Sequence, residues 1–311
     1  MATSARSVST TDVVHLRLRG ARRDFIGLAF EGLLLFALLL SLLFLIVLLY
    51  EVVIEAIPVF SERAGDFLTG RLSVVTAATA GVGQGIVGSL MTAIFVVIVA
   101  FPLGIGAAVY LEEYASDTRF NRFINVNIRN LAGVPSIVYG LLGLTIFVKL
   151  MSEFTGGTTV IAGGLTLAVL VLPIVIITSA EALRAVPDSI REAGYGVGAT
   201  KWEVIRSHVL PSAAPGVLTG TILSLSRAIG ETAPVLLVGA VTGFLATGGA
   251  SFYEQLYGQY TTLPTIVYRW SSLPSSDFRA LTSAAIVVLL AMTLTANAVA
   301  IILRNRYDRK W

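Results

Sequence analysis

The stretch REAGYGVGATKWEVIRSHVLP, from Arg191 to Pro211, is the one long polar break in the second half of a very apolar chain. It reads as a helix, a turn and a second helix lying on a membrane surface. Pro187 suits a first helical turn, and Gly194, Gly196 and Gly198 loosen the middle. Thr200 and Glu203 make a capping box, in which each side chain accepts from the other residue's backbone N–H and a new helix opens. That helix carries Trp202, Val204 and Ile205 and is expected to stop at Leu210 and Pro211, where a ring replaces the N–H.

The surroundings of this stretch are lipid-like. Of 311 residues 55% are hydrophobic and 13% charged, against about 25% charged in soluble domains. The mean hydropathy is +0.83. The chain is therefore an integral membrane protein. It has no cysteine, which excludes disulfides and thiolate metal sites, and His15 and His208 are too far apart in sequence for a zinc pair. The net charge of +3 reads as membrane topology rather than affinity for nucleic acid.

Uncharged runs predict six spans. Residues 1–24 form a Ser/Thr-rich, then basic, cytoplasmic tail with Arg17, Arg19, Arg22 and Arg23. The run from Gly32 to Tyr50 exceeds the core of a cleavable leader, about 7–15 residues, and is retained as the first span. Between Arg71 and Glu112 there is room for one span or two. Large apolar residues become dense only from about Ile86, so one span is read at 86–111. The third is placed at 130–148 with Pro135 and Gly140 inside it, and the fourth within 154–180. The fifth is placed at 212–241 and the sixth at 280–303. Tyr253, Tyr257, Tyr260, Tyr268 and Trp270 read as an interfacial belt in an outer loop. Residues 25–303 then form one permease-like domain, with a loop at 185–211 and a basic tail at 304–311. Sixteen of the 22 Lys and Arg fall in the segments this map puts inside, which places both termini and the 191–211 hairpin in the cytoplasm.

Charges inside a span are the next signal. Arg227 and Glu231 are four residues apart in the fifth span and so share a helix face. A central charge costs roughly 2.5–3.5 kcal/mol on insertion scales, so the pair should face the bundle interior or a wet path. An Arg fork suits phosphate or carboxylate oxygens, and Glu231 would hold it and temper its charge. Ser224 and Thr232 offer hydroxyls nearby, and Pro234 bends the helix just beyond. A purely structural ion pair is the alternative. Gly216 and Gly220 read as a helix-packing pair. Gly81, Gly83 and Gly85 lack the Lys-Ser/Thr of a phosphate loop, and no residue set is placed for catalysis.

Glu192, Ala193, Gly198, Leu210 and Pro211 fall in register with the E-A-A-x3-G-x9-I-x-L-P loop of ABC importer permeases, which the stretch resembles. Gly194 and His208 depart from the pattern. The block RAIGETAP (227–234) is similar to the fifth-span signature of phosphate importer permeases, in its GETAP ending more the PstA than the PstC type. FPLGIGAAVYLEEYA (101–115) and NLAGVPSIVYGLLG (130–143) agree. The resemblance implies an all-α, six-span, type I ABC importer permease fold with a cytoplasmic coupling hairpin, in the inner membrane. It implies a PstB-type ATPase dimer that binds the ATP, a PstC-type second permease, a PstS-type phosphate-binding protein, and no cofactor or catalysis in this chain. Arg227, Glu231, Thr232 and Ser224 would line the substrate path. Glu192, Ala193, Gly198, Ala199, Trp202, Leu210 and Pro211 would meet the ATPase. The competing readings are a PstC-type subunit, a sulfate or molybdate permease, an ATP-independent anion transporter or channel, and a polytopic membrane enzyme.

Overall fold

The computed structural model describes residues 25–240 and 252–307; the N-terminal tail, residues 241–251 and residues 308–311 lie outside the described residues. The chain divides into two compact units, 1–51 and 52–311. Among the described residues every element is helical. Helix α1 spans Phe25–Thr69. Its part in the first unit is apolar all round, and the large side chains from Leu33 to Leu48 are all exposed, as suits a helix whose solvent is lipid.

In the second unit α1 runs on to Thr69 instead of ending near Tyr50. Glu51, Glu55, Glu62 and Asp66 are compatible with a helix, and Ala56, Val59 and Phe67 bury against other apolar side chains. A kink falls at Arg63, whose guanidinium donates to the carbonyls of Ala77, at 2.8 Å, and Ala78. That clamps a single tight turn, Ala77–Thr79, ahead of α2 (Gly83–Tyr114). The 72–111 region thus holds one span.

The third span is broken. Helix α3 (Arg119–Ala132) and α4 (Ser136–Leu150) meet at 102° about Gly133, Val134 and Pro135. The expected single span at 130–148 is therefore corrected. Pro135 disfavours helix at the residue before it, so the chain turns there instead of passing through. The Tyr139 hydroxyl donates to Leu131 O at 2.8 Å and ties the two arms.

Helix α5 (Val160–Arg184) is the central post, with 72% of its most apolar window buried inside the protein. Helix α6 (Asp188–Gly196) and α7 (Lys201–Gly230) follow. After α7 come α8 (Ala233–Leu237), α9 (Phe252–Leu256), α10 (Leu263–Ser271) and α11 (Ser276–Tyr307). Counting the bent pair once, six segments among the described residues are long and apolar enough to cross a membrane. Helix α7 approaches α5 through small residues, as the sequence predicts. A Cβ on Gly220 would stand 2.2 Å from Thr178 Oγ1, and one on Gly216 2.7 Å from Ala182 Cβ.

The expected belt of aromatics holds for three of its five residues. Tyr253, Tyr257 and Tyr268 are exposed, but Tyr260 and Trp270 are buried. Trp270 packs beside Phe67 and Phe278 and donates its indole N–H to Ser73 O at 2.9 Å. Tyr260 packs over Gly163 of α5, where no Cβ would fit.

The hairpin is fastened by charge. Arg191 of α6 donates to Glu113 Oε1 of α2 at 2.8 Å, to the α5-end carbonyls Leu183 O and Val186 O at 3.0 and 2.8 Å, and to Asp188 Oδ1 at 3.1 Å. The Glu113 side chain is 5% exposed and Arg191 17%. The bond to Glu113 raises the Arg191 pKa further above its ordinary value. Next to it Arg184 of α5 pairs with Glu112, Nε to Oε2 at 3.2 Å. Below lie Ala108, Ile176, Leu183, Val204, Val209, Ala213 and Val217.

Two predictions follow from this packing. Arg191→Ala strands a buried carboxylate and should destabilise the chain by about 3–5 kcal/mol, seen as a lower Tm in detergent, whereas Arg191→Met with Glu113→Met recovers most of the loss. Gly220→Val overpacks the α5–α7 contact and should cost about 1–3 kcal/mol, while Gly106→Ala, with nothing within 4 Å of the new methyl, leaves Tm unchanged.

Candidate functional site

The hairpin is built as the sequence predicts, with one correction. Helix α6 follows Pro187 and ends at Gly196, and Gly198 takes a left-handed φ of +83° that lets the chain reverse. Thr200 then opens α7. Its hydroxyl accepts from Glu203 N at 3.4 Å, and Glu203 Oε2 accepts from Thr200 N and Oγ1 at 2.7 Å each.

The correction concerns Pro211, which does not end the helix. A wide turn at Ile205–Val209, with Leu210 N bonded to Ile205 O five residues back, makes room just before the ring, and α7 continues as one 30-residue helix. The hairpin's second arm is thus the start of a span and not a separate surface helix. Of the two departures from the loop pattern, Gly194 has a geometric reason: a Cβ there would stand 2.7 Å from the Val204 methyl, so glycine lets α6 close onto α7. His208 is exposed.

What faces away from the protein is distinctive. Glu192, Ala193, Gly198 and Pro211 are exposed, Ala199 and Leu210 half-buried, and Tyr195, Val197 and Trp202 expose 43%, 84% and 54%. Lys201 sits over the Tyr114 ring, 5.1 Å from its centroid, tying the turn to α2. An acidic, aromatic and apolar patch is held on a rigid base. The sequence reading missed Arg191 and Glu113 as that base. Its one signal was the acidic pair Glu112–Glu113 at the end of an apolar run.

The second constellation lies at the far end of α7. Arg227 is in its last turn, but Glu231 has extended backbone, φ −73° and ψ 123°, so the two do not share a continuous helix face. Pro234 gives the reason, because its ring would clash with Gly230 O and it has no N–H to bond there; the helix breaks and restarts as α8. The pair forms nonetheless, Arg227 Nε donating to Glu231 Oε1 at 3.1 Å. The Arg227 side chain is 47% exposed and that of Glu231 15%. One of five guanidinium donors is used, and among the described residues Arg227 has no other hydrogen-bond partner.

The hydroxyls divide. Thr232 is half-buried at the break, beside Glu231. Ser224 is buried and donates to Gly220 O at 2.8 Å, so its hydroxyl is engaged within α7. Helix α8 seats on α4 at Gly140, where a Cβ would meet Leu237 Cδ1 and Pro234 Cα at 2.8 Å each. Tyr139 of α4 lies within electrostatic reach of Arg227. The arrangement can offer a fixed cation with spare donors to an oxyanion. Among the described residues no cluster of His, Asp and Glu is placed to hold a metal.

Known proteins resemble this chain in sequence and fold. Residues 100–311 match the family described as binding-protein-dependent transport system inner membrane component. The phosphate transport system permease protein PstA of Yersinia pestis is 33% identical over 266 residues, 85% of this chain and 84% of that protein. The PstA of Mycobacterium leprae is 39% identical over 188 residues, 60% of this chain and 59% of that protein. Among solved structures, a chain of a bacterial ABC transporter involved in the import of the acidic polysaccharide alginate superposes with a TM-score of 0.62. That match is 15% identical and covers 93% of this chain and all of the other, which shows the shared fold. With its multiple apolar spans, the chain is a multi-pass inner membrane protein. It belongs to the binding-protein-dependent transport system inner membrane components, on their PstA permease branch.

Proposed function

We propose that this chain is one permease half of an ATP-driven inorganic phosphate importer, and that Arg227 is where the anion is received. The observation that carries the reading is the exposed guanidinium at the broken end of α7, held by Glu231 through a single donor. A fork so placed can take a tetrahedral oxyanion through its remaining N–H groups, while the nearby carboxylate keeps the site from trapping it. Thr232 adds a hydroxyl at the break, and Ser224 supports the helix behind it. The PstA names of the relatives and the RAIGETAP block point to phosphate rather than sulfate or molybdate.

Membership of this family carries an ATPase and an external binding protein with it. We assign these as a PstB-type dimer, which binds the ATP, and a PstS-type protein, with a PstC-type permease completing the path. The patch of Glu192, Ala193, Gly198, Ala199 and Trp202 meets the ATPase, and Leu210 and Pro211 carry its movement into α7. Both termini then lie in the cytoplasm, in keeping with the Lys and Arg distribution. ATP-driven closure rocks the hairpin and switches the accessible side of the path.

Radiolabelled phosphate uptake tests this in a host lacking its own PstA, supplied with this chain and matched PstB, PstC and PstS. Uptake should need ATP and resist excess sulfate; assembly without phosphate uptake would remove the substrate assignment. Arg227→Ala should abolish uptake with assembly intact, and Arg227→Lys, which keeps the charge but loses the fork, should lower it about tenfold or more. Gly198→Val forces a branched residue into a left-handed turn, a local strain of about 1–3 kcal/mol. It and Glu192→Arg should leave the complex able to hydrolyse ATP but not to transport, and unchanged transport in both would refute the docking surface.

A further inference from the structure

We infer that α3 is a lipid-surface helix, its Phe120, Phe123 and Leu131 side entering the membrane on the hairpin side while Arg119 and Arg129 hold anionic phospholipid headgroups. This goes beyond the transport reading and does not rest on it. Helix α3 meets α4 at 102°, so if α4 follows the membrane normal α3 runs nearly in the membrane plane. Its level is fixed at the hairpin end, because Ile128 packs against the apolar cluster that includes Leu183 and Val204.

Around the helix the side chains separate by chemistry. Ile124, Asn125 and Ile128 are the half-buried inner side. Phe120, Phe123 and Leu131 expose 69%, 64% and 45%, and helical spacing gathers them on one flank with Asn127 among them, while Val126, 52% exposed, lies on the basic side. Arg122 and Arg129, one heptad apart, occupy the opposite flank, with Arg119 between. Two exposed phenylalanines beside basic residues on a helix without acids make the pattern of an interfacial helix.

The charge count specifies the headgroup. Arg129 lines a recess of about 260 Å³ with Glu112, Asp117, Asn121, Arg122, Asn125 and Arg184. In it Glu112 is taken by Arg184, and Asp117 by Arg122 at 3.0 Å. Arg129 is left over, and Arg119 at the helix start likewise forms no ion pair among the described residues. Arg119, next to Phe123 around the helix, takes the phosphodiester of a lipid anchored beside Phe120 and Phe123, and Arg129 takes that of a second lipid within reach of its long side chain.

The chain has no cysteine, so single-cysteine variants report one position each. The full chain carrying Phe120→Cys, Phe123→Cys or Ser116→Cys is nitroxide-labelled. Each is reconstituted in vesicles of phosphatidylcholine alone or with an equal part of phosphatidylglycerol. Collision with oxygen and with a water-soluble nickel chelate is then measured by power saturation. Positions 120 and 123 should meet oxygen and exclude nickel, and position 116 the reverse. Nickel access at 120 and 123 equal to that at 116 would overturn the proposal by leaving the flank in water. Protection from both reagents would overturn it in favour of a protein partner. In a second arm, phosphatidylglycerol retained over phosphatidylcholine on detergent extraction should fall roughly tenfold in Arg119→Gln with Arg129→Gln. An unchanged ratio would refute the headgroup assignment.

Discussion

The Arg191–Glu113 ion pair is the constraint on which the rest of the hairpin end depends. It joins residues 78 apart in sequence and adds two carbonyls at the end of α5. Three helices are thereby fixed to one guanidinium. A charge this buried is costly unless all its donors are used, and here they are spread over carboxylates and carbonyls. The pair thus acts less as a source of stability than as a device for uniqueness: other orientations of α6 would leave Glu113 buried and alone. The exposed patch of Glu192, Tyr195, Val197 and Trp202 is presented on a base fastened to Glu113 and to the carbonyls of Leu183 and Val186.

Much of this was legible in the sequence, and what was not has identifiable causes. Hydropathy and Lys/Arg placement located the spans because the cost of charge in lipid is large and local. The Thr200–Glu203 box and the Gly216–Gly220 contact were legible because both are written within four residues. Direction was not. The run around Pro135 reads as one span because hydropathy counts apolar residues without seeing the 102° turn that Val134–Pro135 imposes. Likewise, Arg227 and Glu231 looked like a helical pair until Pro234 broke the helix between them. Pro211 shows the converse, since a wide turn absorbed a ring that local rules expect to end the helix. Tyr260 and Trp270 fell inside because long-range partners, Gly163 and the Phe67–Phe278 pocket, were waiting for them.

These misreadings share a pattern. The three at Pro135, Pro211 and Pro234 lie where a helix changes direction, ends or passes a proline, and these are the places where this protein holds its uncommon residues. The long helices α2, α5 and α11 supply packing. The bend at α3–α4, the hairpin and the break after α7 supply charge, exposed aromatics and free donors. In a membrane, where backbone groups cannot turn to water, each interruption must be answered by a side chain or a neighbouring helix. Tyr139 and Arg191 bond carbonyls at such interruptions here, and Glu231 holds Arg227 at the break.

The unbroken course of α7 has a mechanical meaning. Thirty residues at 1.5 Å each make a rod of about 45 Å, with Trp202 near one end and Arg227 near the other. No loop lies between them to absorb displacement. A tilt of roughly five degrees about one end carries the other by about 4 Å, more than the length of the Arg227–Glu231 bond. In the proposed importer such a helix would work as a lever, its smallest useful stroke making or breaking one contact at its tip.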